Sequence, residues 1–441
     1  MKEIILILFP LLVSSAFRIA GAADTSRLQA ARARLQDGIR LVEAGRTDSA
    51  RAAFQDAVAL DSTLVEAHYH LATYYRNTGR ADLAIESLKK ITELRPQSTF
   101  AYISLSSVCM EASRYADAAD VLRKAVASLP DEPSLHYSLG LVEKAQGATE
   151  EAVRSLLRAT ELSPNDGQAH MQLAKALSEI GQMEAALAAY GRAAVLSPAS
   201  AEVHRGMGDL LLRMSRLDEA ASAYKRALQI DPDNAKALFG LGNTCNRQGR
   251  TQEGMRTLKQ FEEVSAYRSQ AGTLRQGLRE IPEGPQHLRD RVAFIYRLGV
   301  LNNRHGRNIE AIAAYREAVH LDPNMAQAYC NLGASYLEEG MTVEAMRSLQ
   351  RAAELDSQSV DAWVLLVRAY RRLGRVDQAV DAGQRAAAMD AKRASARREL
   401  GLALLGTGRT EEGIAELRRA LDLDPNDRIA RVVSEAARGE E

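Results

Sequence analysis

Five prolines recur along the chain at a constant interval of 34 residues: Pro96, Pro130, Pro164, Pro198 and Pro232. Proline lacks the backbone N–H that a helix interior needs and it restricts the residue before it, so each of these prolines predicts the end of a helix. A unit of this length is too small to bury an apolar core by itself. The chain is therefore predicted to be a stack of small units that bury their apolar faces against one another.

Each period contains two short amphipathic helices. In residues 292–325, Ala311, Tyr315 and Ala318 lie on one stripe of a 3.6-residue helix, and Gly306 separates this helix from the preceding one. Aromatic residues make up only 5% of the chain, which favours packed helices over sheet. Small residues recur at the eighth position of the first helix, where they allow close helix packing: Gly38, Ala72, Ser106, Gly140, Ala174, Gly208, Gly242, Gly299, Gly333 and Gly401.

This pattern resembles the tetratricopeptide repeat. In residues 292–325 the matching residues are Leu298, Gly299, Ala311, Tyr315, Ala318 and Pro323. Eleven units begin at residues 31, 65, 99, 133, 167, 201, 235, 292, 326, 360 and 394. The resemblance implies an all-α solenoid of helix-turn-helix repeats, wound into a right-handed superhelix, that binds other proteins or peptides. Local departures from the pattern are Val367 at a small position, Phe261 at an alanine position, and Gly254 and Gly413 in place of alanine.

The N-terminus has the pattern of a signal peptide. Lys2 precedes an apolar run over residues 4–13, and Ala20-Gly21-Ala22 has the small-x-small form that a signal peptidase accepts. This run is shorter than the roughly 20 residues that span a bilayer. We therefore predict a signal peptide over residues 1–23, cleaved near Ala22 or Ala23, with an uncleaved anchor as the alternative. The mature protein is expected in a bacterial periplasm or outside the cell, without a stable membrane span.

The repeat register breaks once. The units that begin at residues 235 and 292 are 57 residues apart, which leaves 23 extra residues. Apolar residues keep a helical spacing through this stretch, so one long helix is predicted from about Thr251 to Ile281, before the breaker residues Pro282 and Pro285. Its far half either folds along its neighbours as a spacer or projects as a docking or dimerisation element.

These boundaries define the expected domains. The first array occupies residues 24–268, the helix extension and its Pro/Gly loop residues 269–291, and the second array residues 292–427. A capping helix and tail occupy residues 428–441, where Ile429, Val432 and Val433 are predicted to cover the open end of the stack.

No catalytic, cofactor or metal site is predicted, and no enzymatic activity. The 57 basic and 57 acidic residues balance, so no global field favours nucleic acid. Three cysteines lie in first helices of different units without a CxxC partner, which predicts buried free thiols: Cys109, Cys245 and Cys330. Four histidines share the fourth position of their units, and neighbouring units stand about 10 Å apart. That is too far to share a zinc ion, so they are predicted to be packing residues: His68, His136, His170 and His204.

The resemblance implies that partners bind along the first helices, at the second, fifth, ninth, twelfth and thirteenth residues of each unit. The candidates are Lys236, Phe239, Asn243, Asn246, Arg247, Tyr296, Asn303, Arg304, Arg368, Arg371, Arg372 and Arg398. Asparagine can pair with a peptide backbone and arginine with a carboxylate, so these residues favour an extended, partly acidic segment. The alternative is that they are ordinary solvated side chains. A further possible patch contains Tyr69, Thr73, Arg76, Asn77 and Tyr137.

The leading functional hypothesis is a non-enzymatic protein-interaction scaffold in the periplasm or cell envelope. The alternative is an accessory subunit of an exported enzyme or of a polysaccharide-export machine, which grips a catalytic partner or a glycan. The family's chaperone-binding members use Lys and Asn at the fifth and ninth positions. Repeat six has Arg205 and Asp209 there, so chaperone binding is not expected. The repeats specify neither the partner nor the oligomeric state.

Overall fold

The computed structural model describes residues 26–436. The predicted signal peptide, residues 1–23, and the end of the predicted tail, residues 437–441, lie outside this part. Across the described residues the chain forms 23 α-helices and no β-strand. None of these helices is long and apolar enough to cross a membrane.

The helices of the first half are α1 (26–43), α2 (Thr47–Leu60), α3 (Val65–Asn77), α4 (Ala81–Leu94), α5 (Thr99–Glu111), α6 (Tyr115–Ser128), α7 (Pro133–Ala145), α8 (Thr149–Leu162), α9 (Gly167–Glu179), α10 (Met183–Leu196), α11 (Ala201–Arg213), α12 (Leu217–Ile230) and α13 (Ala235–Arg247). The remaining helices are α14 (Thr251–Glu280), α15 (Leu288–Arg304), α16 (Asn308–Leu321), α17 (Ala326–Glu338), α18 (Thr342–Leu355), α19 (Val360–Arg372), α20 (Val376–Met389), α21 (Ala394–Gly406), α22 (Thr410–Leu423) and α23 (Arg428–Ala436).

The helices alternate as first and second helices of successive repeats. Nine first helices begin at the residue that the 34-residue period predicts, and α15 begins four residues early, at Leu288. The predicted all-α array of helix pairs is therefore confirmed. The chain divides into two compact units between Phe261 and Glu262, inside α14.

A left-handed residue ends most first helices. Gly79 has φ +72° and Gly147 φ +81°, and the same place is taken by Ser113 and Ser215 with φ 59°. After Gly79, the N–H of Arg80 donates to a carbonyl oxygen in the last turn of α3, at a distance of 2.8 Å. Such a C-terminal motif satisfies carbonyl groups that the helix leaves free, and it turns the chain into the antiparallel second helix.

Most second helices pack one large side chain against the small eighth residue of their repeat. Tyr224, at position 24 of its unit, is 1% exposed. A Cβ on Gly208 would lie 2.8 Å from the Tyr224 ring, and a Cβ on Gly240, in the next unit, would lie 2.4 Å from its Cζ. The pattern is reversed in repeat ten, which has Val367 at the small position and Gly383 at the large one. The larger side chain at Val367 is thus matched by the smaller residue at Gly383 in the same repeat.

The four repeated histidines bind the turn in front of their own helix. Each Nε2 atom lies 2.8–3.2 Å from the carbonyl oxygen six residues earlier. Because a carbonyl oxygen can only accept, this nitrogen must carry the proton. Trp363 donates its Nε1–H to the Ser357 carbonyl in the same way, at 3.1 Å. The predicted packing residues therefore also tie each first helix to the preceding inter-repeat turn.

The long helix α14 ends at Glu280, one residue before the predicted end. A short 3-10 turn, Pro285–His287, precedes α15. Within the second unit, Tyr267 and Ala271 are buried in one cluster with Leu301 of α15. Leu278 packs on a second cluster that contains Ile295. Of the two predicted alternatives, these contacts favour a segment that folds along its neighbours over one that projects freely.

The predicted covering of the array end by α23 is wrong in part. Ala430 is fully buried and Val433 packs beside it on α22, whereas Ile429 and Val432 are 54% and 56% exposed. The reason is register, since α23 begins 34 residues after α21 and takes the place of another first helix. In that register the third residue faces the array, as Ala396 does in α21, and the second and fifth residues face outwards.

The glycine positions next to Tyr224 provide a test of this packing. Gly240→Ala should lower the free energy of unfolding by about 1–3 kcal/mol, because the added methyl group would collide with a buried ring. Gly191→Ala, in α10, is a matched control, since its Cβ would meet nothing within 4 Å. That substitution should raise helix stability by about 0.5–1 kcal/mol. Urea unfolding followed by circular dichroism measures both, and equal effects would contradict the packing described.

Candidate partner-binding faces

Within each of the two compact units, the first helices of neighbouring repeats lie close together. Consecutive first helices contact each other directly, as α5 does with α7, α17 with α19 and α19 with α21. Among the second helices α2–α12 and α16–α22, no comparable contact joins consecutive members. The first helices therefore line the narrower side of each unit. We call their exposed surface the first-helix face of that unit.

Arginines at position 13 connect neighbouring first helices. Arg213 donates to the Ser178 carbonyl oxygen at 3.2 Å and Arg247 to the Leu212 carbonyl oxygen at 3.3 Å. In the second unit, Arg372 donates to the carbonyl of Leu337. Two of the predicted partner-binding residues, Arg247 and Arg372, thus bind the end of the preceding helix in their own array.

Two further candidates join first helices of the second unit. The Tyr296 hydroxyl accepts a hydrogen bond from Asn331 Nδ2 at 3.0 Å, and Asn303 Nδ2 donates to Ser335 Oγ at 3.1 Å. Both residues lie on the first-helix face and both are already partnered. Arg304 is exposed and has no hydrogen-bond or ion-pair partner among residues 26–436.

The remaining candidates of the first unit surround an aromatic pair. Phe239 is exposed on α13, and its ring lies 5.3 Å from the ring of Phe261. Phe261 replaces the usual alanine, and its larger side chain provides this contact with Phe239. On the same helix Lys236 and Asn246 are exposed and Asn243 is half-buried.

A second aromatic pair lies on the first unit, in the region of the further patch. Tyr69 is exposed and contacts Phe100, which is 61% exposed, at 5.7 Å between ring centres. Sequence reasoning missed Phe100, although it occupies the second position of its unit. Arg76 is bound to Glu111 through its Nε at 2.8 Å, and Tyr137 is half-buried, which raises its pKa.

The arginines near the end of the second unit surround one buried carboxylate. The side chain of Glu399 is 5% exposed and accepts from Arg368 Nε and Arg371 Nη1, both at 2.9 Å. It also accepts from Arg398 Nη2 at 3.2 Å, and Arg398 in turn donates to Asp427 at 2.9 Å. Three cations face two anions, so the cluster keeps a net positive charge.

Arg368 and Arg371 differ from the other members of this cluster in their exposure. Their side chains are 37% and 33% exposed, whereas that of Arg398 is 15% exposed. A guanidinium has five N–H groups, and each of these two uses one of them on Glu399. The buried carboxylate thus holds two solvent-facing guanidinium groups in place, with donors left for a ligand.

Sequence models of the tetratricopeptide repeat match residues 35–99, 105–167, 137–202 and 364–428, which together cover more than half of the chain. The chain belongs to the tetratricopeptide repeat family. Further models described as TPR repeat and tetratricopeptide repeat match residues 208–249, 304–340 and 336–382. Tetratricopeptide repeat proteins generally act as non-enzymatic scaffolds for protein interactions, and membership supports this general role here.

Several solved tetratricopeptide structures overlap with part of the chain. MamA is 21% identical, with a TM-score of 0.37, over 38% of this chain and 97% of MamA. YrrB, described as a TPR protein with an unusual peptide-binding site, is 24% identical, with a TM-score of 0.36, over 42% and 95%. PilF of Pseudomonas aeruginosa is 20% identical, with a TM-score of 0.38, over 48% and 96%. No curated protein matches the chain.

The cysteines of this tetratricopeptide array are buried and unpaired, as predicted. Burial raises the pKa of Cys330 to about 11, and it also raises the pKa values of Cys109 and Cys245. Thiols with raised pKa values stay protonated and are poor nucleophiles and metal ligands near neutral pH. Over the described residues, no group of His, Cys, Asp and Glu side chains is arranged to hold a metal ion.

The role of Glu399 can be tested by removing its charge. Glu399→Gln should lower the free energy of unfolding by about 2 kcal/mol, because it leaves three neighbouring arginines facing a neutral group. Glu412→Gln is the control, since Glu412 also binds an arginine, Arg409, but in full exposure, where loss of an ion pair has little effect. Thermal unfolding of both variants is the measurement. A Glu399→Gln protein as stable as the control would contradict this role.

Proposed function

We propose that this tetratricopeptide protein is a non-enzymatic scaffold, exported to the periplasm or secreted, that holds segments of partner proteins on the first-helix faces of its two units. The observation that carries the proposal is the pair Arg368 and Arg371, oriented by the buried Glu399. A freely solvated arginine loses side-chain freedom when it binds. These two have already lost part of that freedom, so binding should cost them less.

The chemistry of this pair favours an acidic segment. A guanidinium can donate two parallel hydrogen bonds to one carboxylate, and such charge-assisted bonds are among the stronger ones in proteins. Arg372 holds the end of the preceding first helix and Arg398 is only 15% exposed, so the proposed contact to a partner at this end of the second unit narrows to Arg368 and Arg371. At this end of the second unit, four of the predicted candidates are thereby reduced to two.

The first-helix face of the first unit favours a different type of segment. Its exposed rings are Tyr69, Phe100 and Phe239. Tyr69 and Phe100 contact each other, and Phe239 contacts the half-buried Phe261 of α14, so this aromatic surface is already held in place. Aromatic side chains commonly contribute most of the binding free energy in protein interfaces. We propose that this face holds apolar side chains of a partner.

Export is the part of the proposal that depends on the N-terminal residues. It is supported by the apolar run over residues 4–13 and by the small residues Ala20 to Ala22. Protein isolated from the producing bacterium should begin after Ala22 or Ala23 when its N-terminus is sequenced. An intact Met1 in the isolated protein would contradict cleavage.

A peptide titration tests the acidic-segment proposal. A fluorescein-labelled peptide of alternating glutamate and serine should bind the full-length protein, and Arg371→Gln should weaken binding about tenfold through loss of a charge-assisted hydrogen bond. In this variant Arg368 and Arg398 still neutralise Glu399, so the fold should persist. Arg351→Gln is the control, because the Arg351 side chain is 43% exposed on the second helix α18 and, among residues 26–436, pairs only with Glu354. Equal weakening by both substitutions would contradict a specific site.

A further inference from the structure

The second half of α14 takes the place of a second helix in front of α15. In the ordinary pair of repeats around α18 and α19, Gln350 donates to the hydroxyl of Tyr370, the eleventh residue of its unit, at 3.0 Å. Tyr267 of α14 donates in the same way to Asn302, the eleventh residue of the unit that begins at residue 292, at 2.8 Å. The two helices are antiparallel, as a second helix and the next first helix are elsewhere.

This segment has no first helix of its own. It continues without interruption from the first half of α14, so no helix lies between the two halves in the chain. The first helix that precedes α14 in sequence, α13, belongs to the first unit. The second unit therefore begins with a second helix whose first helix is missing.

Arg304 marks the side from which that helix is missing. At the equivalent position of other repeats, Arg213, Arg247 and Arg372 each donate to a carbonyl in the last turn of the preceding first helix. Arg304 has no partner within the described chain. A cation at this place matches the free carbonyl groups and the negative end of a helix that would lie against α15.

An open groove of about 590 Å³ lies between the second half of α14 and α15, and we call it the insert groove. Leu274, Val300 and Leu301 give it an apolar floor, and Arg297 and Arg304 line its side. None of the residues that line the groove is acidic, so these two charges are not compensated there. Arg297 contacts the ring of Phe294 rather than a carboxylate.

We propose that the insert groove binds an acidic amphipathic helix of a partner protein, in the place of the missing first helix. An apolar stripe on this helix covers the floor, as in other helix-in-groove complexes. Its last carbonyl groups accept from Arg304, and a carboxylate on its first turns pairs with Arg297. The inference rests on the scaffold role proposed above and names the partner of one site on the second unit.

The array itself supplies a suitable probe. Residues 326–341 contain α17, which fills the equivalent place in front of α19 and whose Leu337 carbonyl accepts from Arg372. The fifth residue of one first helix contacts the sixth residue of the next first helix, as Tyr296 contacts Asn331. The sixth residue of the unit that begins at residue 292 is Arg297. The fifth residue of the probe, position 330, is therefore the one placed next to Arg297. The probe is therefore a fluorescein-labelled, amidated peptide of residues 326–341 with Cys330→Glu.

Fluorescence anisotropy with the full-length protein measures binding of this probe. We expect saturable binding, weakened about tenfold by Arg304→Gln, since a charge-assisted hydrogen bond is lost. Thr273→Tyr should abolish binding, because the larger side chain fills the insert groove without changing its charge. Both residues are exposed, so circular dichroism should show unchanged folding. The matched control is Arg372→Gln, which makes the same substitution at the equivalent position of repeat ten. There α17 already lies in front of the arginine, so the substitution should leave the affinity for the probe unchanged.

Several outcomes would overturn the inference. These are no binding, no effect of Arg304→Gln, equal binding of a probe with a helix-breaking Ala334→Pro, or equal competition by poly-L-glutamate. Dimerisation of the protein that Arg304→Gln abolishes, measured by sedimentation velocity, would assign the groove to a second copy instead. If the probe fails while the glutamate–serine peptide still binds through Arg371, only this inference falls. If that peptide fails and the probe binds, the face at Arg368 and Arg371 falls instead.

Discussion

The insertion of one large side chain between two glycine-backed helices is the contact on which the array depends. Tyr224 touches the backbone at Gly208 in its own repeat and at Gly240 in the next. One side chain thereby joins two neighbouring repeats, and neither repeat can bury it alone. The contact within the repeat requires a small residue at the eighth position, and such a residue recurs at that position in most repeats. The double contact also brings the first helices close enough for their side chains to bind one another.

The same closeness determines which polar side chains remain available to a partner. Where a preceding first helix is present in the array, the arginine at position 13 binds its last turn, as Arg372 does. Where that helix is missing, as in front of Arg304, the identical residue type is unpaired. Glu399 acts differently, because it orients Arg368 and Arg371 without using all their donors. Binding capacity thus depends on the neighbouring repeat as much as on residue type.

The sequence predicted most helix boundaries because proline, glycine and the apolar stripe act locally. It predicted the end of α14 to within one residue. It did not separate Arg372 from Arg304, since the two occupy the same position and differ only in the helix that faces them. The outward orientation of Ile429 and Val432 was missed for a related reason. Their apolarity indicated burial, whereas the register of a first helix directs them away from the array.

The central claim is that the second half of α14 serves as a second helix for the second unit. Hydrogen–deuterium exchange of the full-length protein, read by mass spectrometry over residues 262–280, tests it most directly. If the segment packs as described, its amides exchange as slowly as those of α16, because opening them requires loss of the buried Tyr267 and Ala271. Exchange over this segment at the rate of an unstructured peptide, with α16 still protected, would contradict the account.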